Sequence, residues 1–208
     1  MELPTLVCFA VKEEAAPFLK LRANQTETVI TGMGRDNSER AINQALEKVT
    51  PRMVFTCGFA GGLNPQHASG TVLFSSNGDS GVSARLIANG LKEARFHVAE
   101  RVATTAVEKA ALFRTTGADA IEMESGVIAN ICAKKRIPCV TLRVILDSAT
   151  EDLPLDFNRL MNDRQEMDYG KLAAALLRAP GKIRDLLRLQ KQSKFAATRL
   201  AEALVQVI

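Results

Sequence analysis

The chain has 208 residues, 47% hydrophobic and 24% charged, which suits one domain with a sizeable core rather than two. One tyrosine and no tryptophan supply a base-stacking nucleic-acid surface poorly, and no apolar run approaches the roughly 18–20 residues of a membrane span. The net charge of +4 belongs to residues 181–208, where six basic side chains meet only Asp185 and Glu202.

The opening MELPTLVCFAVKEE has a glutamate ahead of a short apolar stretch, no basic lead and no small-residue cleavage site. It is expected to be a first strand of a cytoplasmic protein and not a secretory leader. LVCFAV (6–11) reads as that strand and 13–21 as a helix; TETVI (26–30) reads as a second strand ending in the glycine turn TGMGR. Asp36, Asn37, Ser38 and Glu39 have the pattern of a capping box, opening a helix whose stripe is Ala41, Ile42, Ala45, Leu46 and Val49. MVFTC (53–57) is a third strand running into the glycine loop GFAGGLNP, and GTVLFSS (70–76) a fourth. Residues 77–100 show no regular pattern. AIEM (120–123) is a strand before a helix carrying Val127, Ile128, Ile131 and Cys132, closed by Lys134, Lys135 and Arg136 as a helix end should be. CVTLRVIL (139–146) is a buried strand. After Asp147 the pattern is helical to the end, broken at Pro180 and Gly181.

This order predicts an α/β fold in which helices cover a central mixed, largely parallel sheet. Residues 1–180 are expected to form the body of the domain, and 181–208 a basic amphipathic helix packed on it. The four cysteines are scattered without a CxxC pair, and His67 and His97 are the only histidines. Buried reduced thiols are expected, and neither a metal nor another cofactor.

In sheets of this kind ligands gather at the carboxyl ends of the strands. Glu13 and Glu14 follow the first strand, Gly32 and Gly34 the second, and Gly58, Gly61 and Gly62 the third. Glu122 and Glu124 end the AIEM strand, and Asp147 ends the last. Each has an ordinary alternative. Glu13 or Glu14 suits a helix dipole, the glycines suit turns, and Asp147 with Ser148 suits a helix cap. Glu122 and Glu124 alternate if the segment is extended, so only one of them is expected to line a crevice. Neither TGMGR nor GFAGGL has dinucleotide or P-loop spacing, though either offers backbone N–H groups to a ligand. Three acids at three strand ends point to a site.

GFAGGL, AIEMES and RVILDSA, in this order and with a carboxylate after the first strand, resemble the nucleoside phosphorylase superfamily. The similarity is greater to its 5′-methylthioadenosine/S-adenosylhomocysteine nucleosidase branch. TCGFAGGLNP, VATTAVEKAALFRTTGADAIEMES and LLRAPGKIRDLLRLQ further resemble the hopanoid-associated phosphorylase-like proteins, whose implied reaction is removal of adenine from adenosylhopane. The resemblance implies a three-layer fold and release of adenine from a 5′-substituted adenosine. Asp147 would then be the general acid at purine N7, and Glu14 the base that activates water. Glu124 would accept the ribose hydroxyls, with Met123 beneath the sugar and Val102 beside the base. Gly34 and Gly61 belong to the implied substrate-binding loops. Phe59 stands where nucleosidases usually carry a serine near the water, and Thr150 replaces a second acid.

The chemistry agrees with these roles, because an oxocarbenium-like state needs a proton for the leaving base and negative charge near the sugar. The first-loop and third-strand positions that carry arginines in superfamily phosphorylases hold Lys12-Glu13-Glu14 and Phe55-Thr56-Cys57 here. Water is therefore expected as acceptor in preference to phosphate, with Arg35 the one cation left to serve phosphorolysis. A phosphorylase, an inactive nucleoside-binding protein and a flavodoxin-like electron carrier are the rivals. The resemblance also implies a homo-oligomer of at least two copies. In the tail, Ile183, Leu186, Leu187, Ala197, Leu200, Ala201, Leu204 and Ile208 share one helical stripe. They face the core in one reading and a membrane surface in the other.

Overall fold

A computed structural model of the chain describes residues 3–22, 25–77, 80–162 and 164–208. Its strands are β1 (Thr5–Phe9), β2 (Thr26–Ile30), β3 (Met53–Gly62), β4 (Val72–Asn77), β5 (Lys92–Glu93), β6 (Phe96–Val98), β7 (Ala120–Glu122) and β8 (Cys139–Asp147). The helices are α1 (Lys12–Leu21), α2 (Arg35–Lys48), α3 (Ser80–Ala88), α4 (Ala106–Thr116), α5 (Ser125–Lys134), α6 (Phe157–Leu160), α7 (Tyr169–Arg178) and α8 (Lys182–Val205).

The sheet order is β2-β1-β3-β8-β4-β5. β1 runs parallel to β2 and β3, and β3 parallel to β8. β4 is antiparallel to β8, and β7 pairs antiparallel with the end of β3. The sheet is therefore mixed and mostly parallel, as expected. All five residues of β1 are buried because helices cover both faces, and alternate side chains enter different cores. Val7 and Phe9 join Phe18 of α1 and Leu200 and Leu204 of α8; Leu6 and Cys8 join Ile42 of α2 and Ile128 and Cys132 of α5. That alternation produces the three layers. The four cysteines are buried and unbridged, and no helix among the described residues is long and apolar enough to cross a membrane.

Several elements depart from the sequence reading. β3 continues through GFAGG to Gly62, so Gly58, Gly61 and Gly62 are strand residues, not turn makers. Gly58 and Gly61 pair along the nine-residue β8, and Gly62 pairs with Ala120 of β7. α2 is not opened by a capping box at residues 36–39: its N-cap is Gly34, at φ +80°, and Asp36 already lies in the first turn. A left-handed glycine turns the chain into the helix two residues earlier than a side-chain cap would. Residues 106–116, which had no assignment, form α4, capped by the Thr105 hydroxyl accepting the Glu108 N–H at 3.2 Å. The irregular 77–100 region contributes α3, β5 and β6, while residues 78 and 79 lie outside the described residues. Asp147 and Ser148 cap no helix, since the next helix begins at Phe157. The carboxy-terminal stripe is split as well. Ala197, Leu200, Ala201 and Leu204 are buried, whereas Ile183 and Leu187 are exposed.

Candidate active site

The parallel strands β1, β3 and β8 end on one edge of the sheet, and a cavity of about 250 Å³ opens there. Glu14, Phe59, Gly61, Val102, Met123, Glu124 and Asp147 all line it. Gly34 lies behind the wall and donates its N–H to Glu124 Oε1 at 2.9 Å. Arg35, the one cation left to serve phosphorolysis, is exposed and is not among the lining residues. Arg101 lines the rim but is ion-paired with Glu108.

Glu14 is placed by the turn from β1 into α1. Its Oε2 accepts the N–H groups of Ala10 (3.0 Å) and Val11 (3.2 Å), and its Oε1 accepts that of Phe59 in β3 (2.7 Å). It therefore satisfies the start of α1 and faces the cavity, while Glu13 is exposed. Burial raises the Glu14 pKa to about 7, against the pull of the Phe59 N–H and Arg143. A carboxylate poised there suits a general base near neutrality.

The register of β3 with β8 sets Gly58 opposite Arg143 and Gly61 opposite Asp147. A Cβ on Gly58 would stand 2.6 Å from Arg143 Nη1 and 2.8 Å from Glu14 Oε1. Gly58 is thus the gap through which the guanidinium approaches the base. Arg143 is fully buried, and its Nη2 donates to Glu122 Oε2 at 2.5 Å and to Glu124 Oε2 at 3.5 Å. Burial opposes its charge, but Glu122, Glu124 and Glu14 outweigh that and raise its pKa.

The expectation that only one of Glu122 and Glu124 lines the crevice fails, because both border the cavity. β7 stops at Glu122 and the chain bends before α5, which cancels the alternation of an extended strand. The two carboxylates are nevertheless unlike. Glu122 also accepts the N–H groups of Glu124 (3.0 Å) and Ser125 (2.7 Å) and the Ser125 hydroxyl (2.7 Å). Burial works against its charge, but Arg143 and these donors hold its pKa below the usual value. Glu124 keeps accepting capacity toward the cavity, and burial raises its pKa.

Asp147, at the end of β8, meets the ammonium of Lys109 from α4. Lys109 is fully buried and also donates to the carbonyls of Ser148 (2.9 Å) and Glu151 (2.7 Å), so three acceptors serve its three protons. Burial raises the Asp147 pKa above its usual range, with Lys109 opposing. Val102 is pinned at the mouth by Asn158, which exchanges two 2.9 Å hydrogen bonds with its backbone. Beyond the acids the wall is apolar, with Leu146, Leu153, Phe157, Met161, Met167 and Leu189.

Sequence reasoning missed Arg143 and Lys109. The signal was a charge inside an apolar run, Arg143 alone in CVTLRVIL and Lys109 beside Glu108 in VEKAALF. A charge in such a run is either exposed or paired with an opposite charge when buried.

Residues 91–179 match the model of the phosphorylase superfamily. A 5′-methylthioadenosine/S-adenosylhomocysteine nucleosidase of Anoxybacillus flavithermus is 25% identical over 205 residues, covering 73% of this chain and 88% of that relative. Among solved structures, the corresponding nucleosidase of Neisseria meningitidis in complex with methylthio-immucillin-A superposes with a TM-score of 0.73 at 14% identity, covering 98% of this chain and 97% of the other. Futalosine hydrolase of Helicobacter pylori gives a TM-score of 0.71 at 16% identity, covering 99% and 97%. The chain resembles the nucleoside phosphorylase superfamily in sequence and has its fold.

Proposed function

We propose that this chain is a nucleosidase that cleaves the N-glycosidic bond of a 5′-substituted adenosine with water and releases adenine. The observation that carries the reading is the pair Glu14 and Asp147, two buried carboxyls of raised pKa lining one cavity. Asp147 transfers its proton to N7 of the departing purine, and the carboxylate left behind meets the Lys109 ammonium. Glu14 takes a proton from water, which adds to the anomeric carbon. Glu124 accepts the ribose hydroxyls and, with Glu14, supplies negative charge for the oxocarbenium-like state. Met123 packs beneath the sugar, and Val102 borders the base.

Water suits the site better than phosphate. The cavity presents Glu14, Glu122, Glu124 and Asp147, while Arg143 is committed to Glu122 and Glu124 and Arg101 to Glu108. No guanidinium is left among the lining residues to hold a dianion bidentately. The apolar wall from Leu146 to Leu189 suits a bulky apolar 5′ group, and adenosylhopane is the candidate that the sequence resemblance supports. Four buried thiols suit a reducing, cytoplasmic setting, and the working form is expected to be at least a dimer.

The test is product analysis with several 5′-substituted adenosines, without phosphate and with phosphate at millimolar level. Free adenine and a reducing sugar in both conditions are expected. Strict phosphate dependence with ribose 1-phosphate as product would make it a phosphorylase, and binding without adenine release would leave a nucleoside-binding protein.

A further inference from the structure

The chain leaves the cavity wall at Met167 and returns to it at Leu189. Between these points it forms α7, a tight turn at residues 179–181 and the first two turns of α8. This excursion is packed unlike the rest of the molecule. α7 contains no buried residue, and in α8 none is buried before Ala196. Large apolar side chains stand in solvent along it: Leu177 is 85% exposed, Tyr169 77%, Leu187 54% and Ile183 46%.

Basic residues surround them. From Asp168 to Arg188 there are five cations and two acids: Asp168, which caps α7 by accepting the Lys171 N–H, and Asp185, which lies 3.8 Å from Lys182. Arg178, Arg184 and Arg188 pair with no carboxylate among the described residues.

From this combination we infer that the 168–188 excursion is a docking surface for an anionic lipid bilayer, which sets the apolar wall of the cavity beside the membrane. Amphipathic helices with leucines on one side and Lys or Arg on the other lie in the headgroup region of such a surface. The basic side chains meet lipid phosphates, and their alkyl stems follow the acyl boundary. A second copy of the chain is the poorer occupant. A two-fold contact would set this patch against itself, cation against cation. The exposed apolar side chains are spread over two helices, Tyr169 and Leu177 on α7 and Ile183 and Leu187 on α8, an arrangement that a fluid bilayer accommodates. The buried half of the carboxy-terminal stripe takes no part, because Ala197, Leu200 and Leu204 are core. The inference stands apart from the proposed reaction.

The test is co-sedimentation of the full chain with vesicles of phosphatidylglycerol and phosphatidylcholine, and with vesicles of phosphatidylcholine alone. The full chain is expected to pellet several-fold more with the anionic vesicles and to be released by high salt. The double variant Leu177→Asp/Leu187→Asp, with unchanged circular dichroism and thermal unfolding, is expected to stay in the supernatant. Arg184→Glu/Arg188→Glu is expected to do the same. Equal recovery of the parent chain in both supernatants overturns the inference, and so does undiminished pelleting of the folded double variants. A change in sedimentation mass in the Leu177→Asp/Leu187→Asp variant, with no vesicle binding by the parent, assigns the face to another copy of the chain.

Discussion

Lys109 of α4 sets its ammonium against the Asp147 carboxylate at the end of β8, 38 residues further along the chain. The same ammonium ties down the carbonyls of Ser148 and Glu151, so one buried cation holds both the candidate acid and the segment that follows it. Lys109→Met leaves Asp147 buried without its partner, and breaking a buried pair from one side costs about 3–5 kcal/mol. The Asp147 pKa is expected to rise further, because Lys109 opposes the effect of burial. Chemical denaturation and the pH dependence of adenine release check the two effects separately; unchanged stability and an unchanged profile would contradict the arrangement.

Asp147→Asn keeps the shape of the acid and removes its proton. Turnover is expected to fall on the order of 10²–10⁴-fold, with far-ultraviolet circular dichroism unaltered. Glu124→Gln is expected to weaken ribose recognition and lower turnover together. Full activity in both variants would remove these residues from the site.

Glu14 makes the pH dependence specific. As the base it must be ionised, so turnover is expected to rise with pH through about 7, and Glu14→Gln is expected to lack activity at any pH. Stability runs the other way. The folded pKa of Glu14 is raised from 4.5 to about 7, so the native state favours its protonated form. That contribution is fully present below 4.5 and is lost as pH rises through about 7, a change on the order of 3 kcal/mol. Denaturation of the parent chain and of Glu14→Gln across this window should therefore diverge, the parent losing stability relative to the variant as pH rises. Parallel curves would show that Glu14 titrates normally.

Gly58→Ala tests the junction beneath the cavity. The added methyl would be 2.6 Å from Arg143 Nη1 and 2.8 Å from Glu14 Oε1, too close without displacing a buried ion pair or the base. A loss of about 1–3 kcal/mol in stability is expected from the overpacking, together with a larger loss of activity than of stability would explain. Thermal unfolding and steady-state rates on the same preparation check both.

The order of strands and helices was legible in the sequence wherever apolar periodicity was strong, as in LVCFAV and CVTLRVIL, because burial on both sheet faces demands near-continuous apolar runs. The acids at the strand ends were legible too, since Glu14, Glu124 and Asp147 interrupt or close such runs. Other features depended on distance in space. Gly58 read as part of a loop until pairing with β8 showed it as strand, because the extent of a strand depends on a partner 85 residues away (143 − 58), Arg143. Local pattern left Glu13 and Glu14 equivalent and only the family resemblance singled out Glu14; the turn after β1 aims Glu14 at Phe59 and leaves Glu13 in solvent. Lys109 and Arg143 showed in the sequence only as charges within apolar runs, with nothing to name their partners. A buried cation is tolerable only beside its counter-charges, and those reach it from elements brought together by the sheet. The sequence alone determined where buried strands form and where acids stand at their ends. The tertiary structure alone decided which charges meet, because pairing of buried ions is set by contacts between elements far apart in the chain.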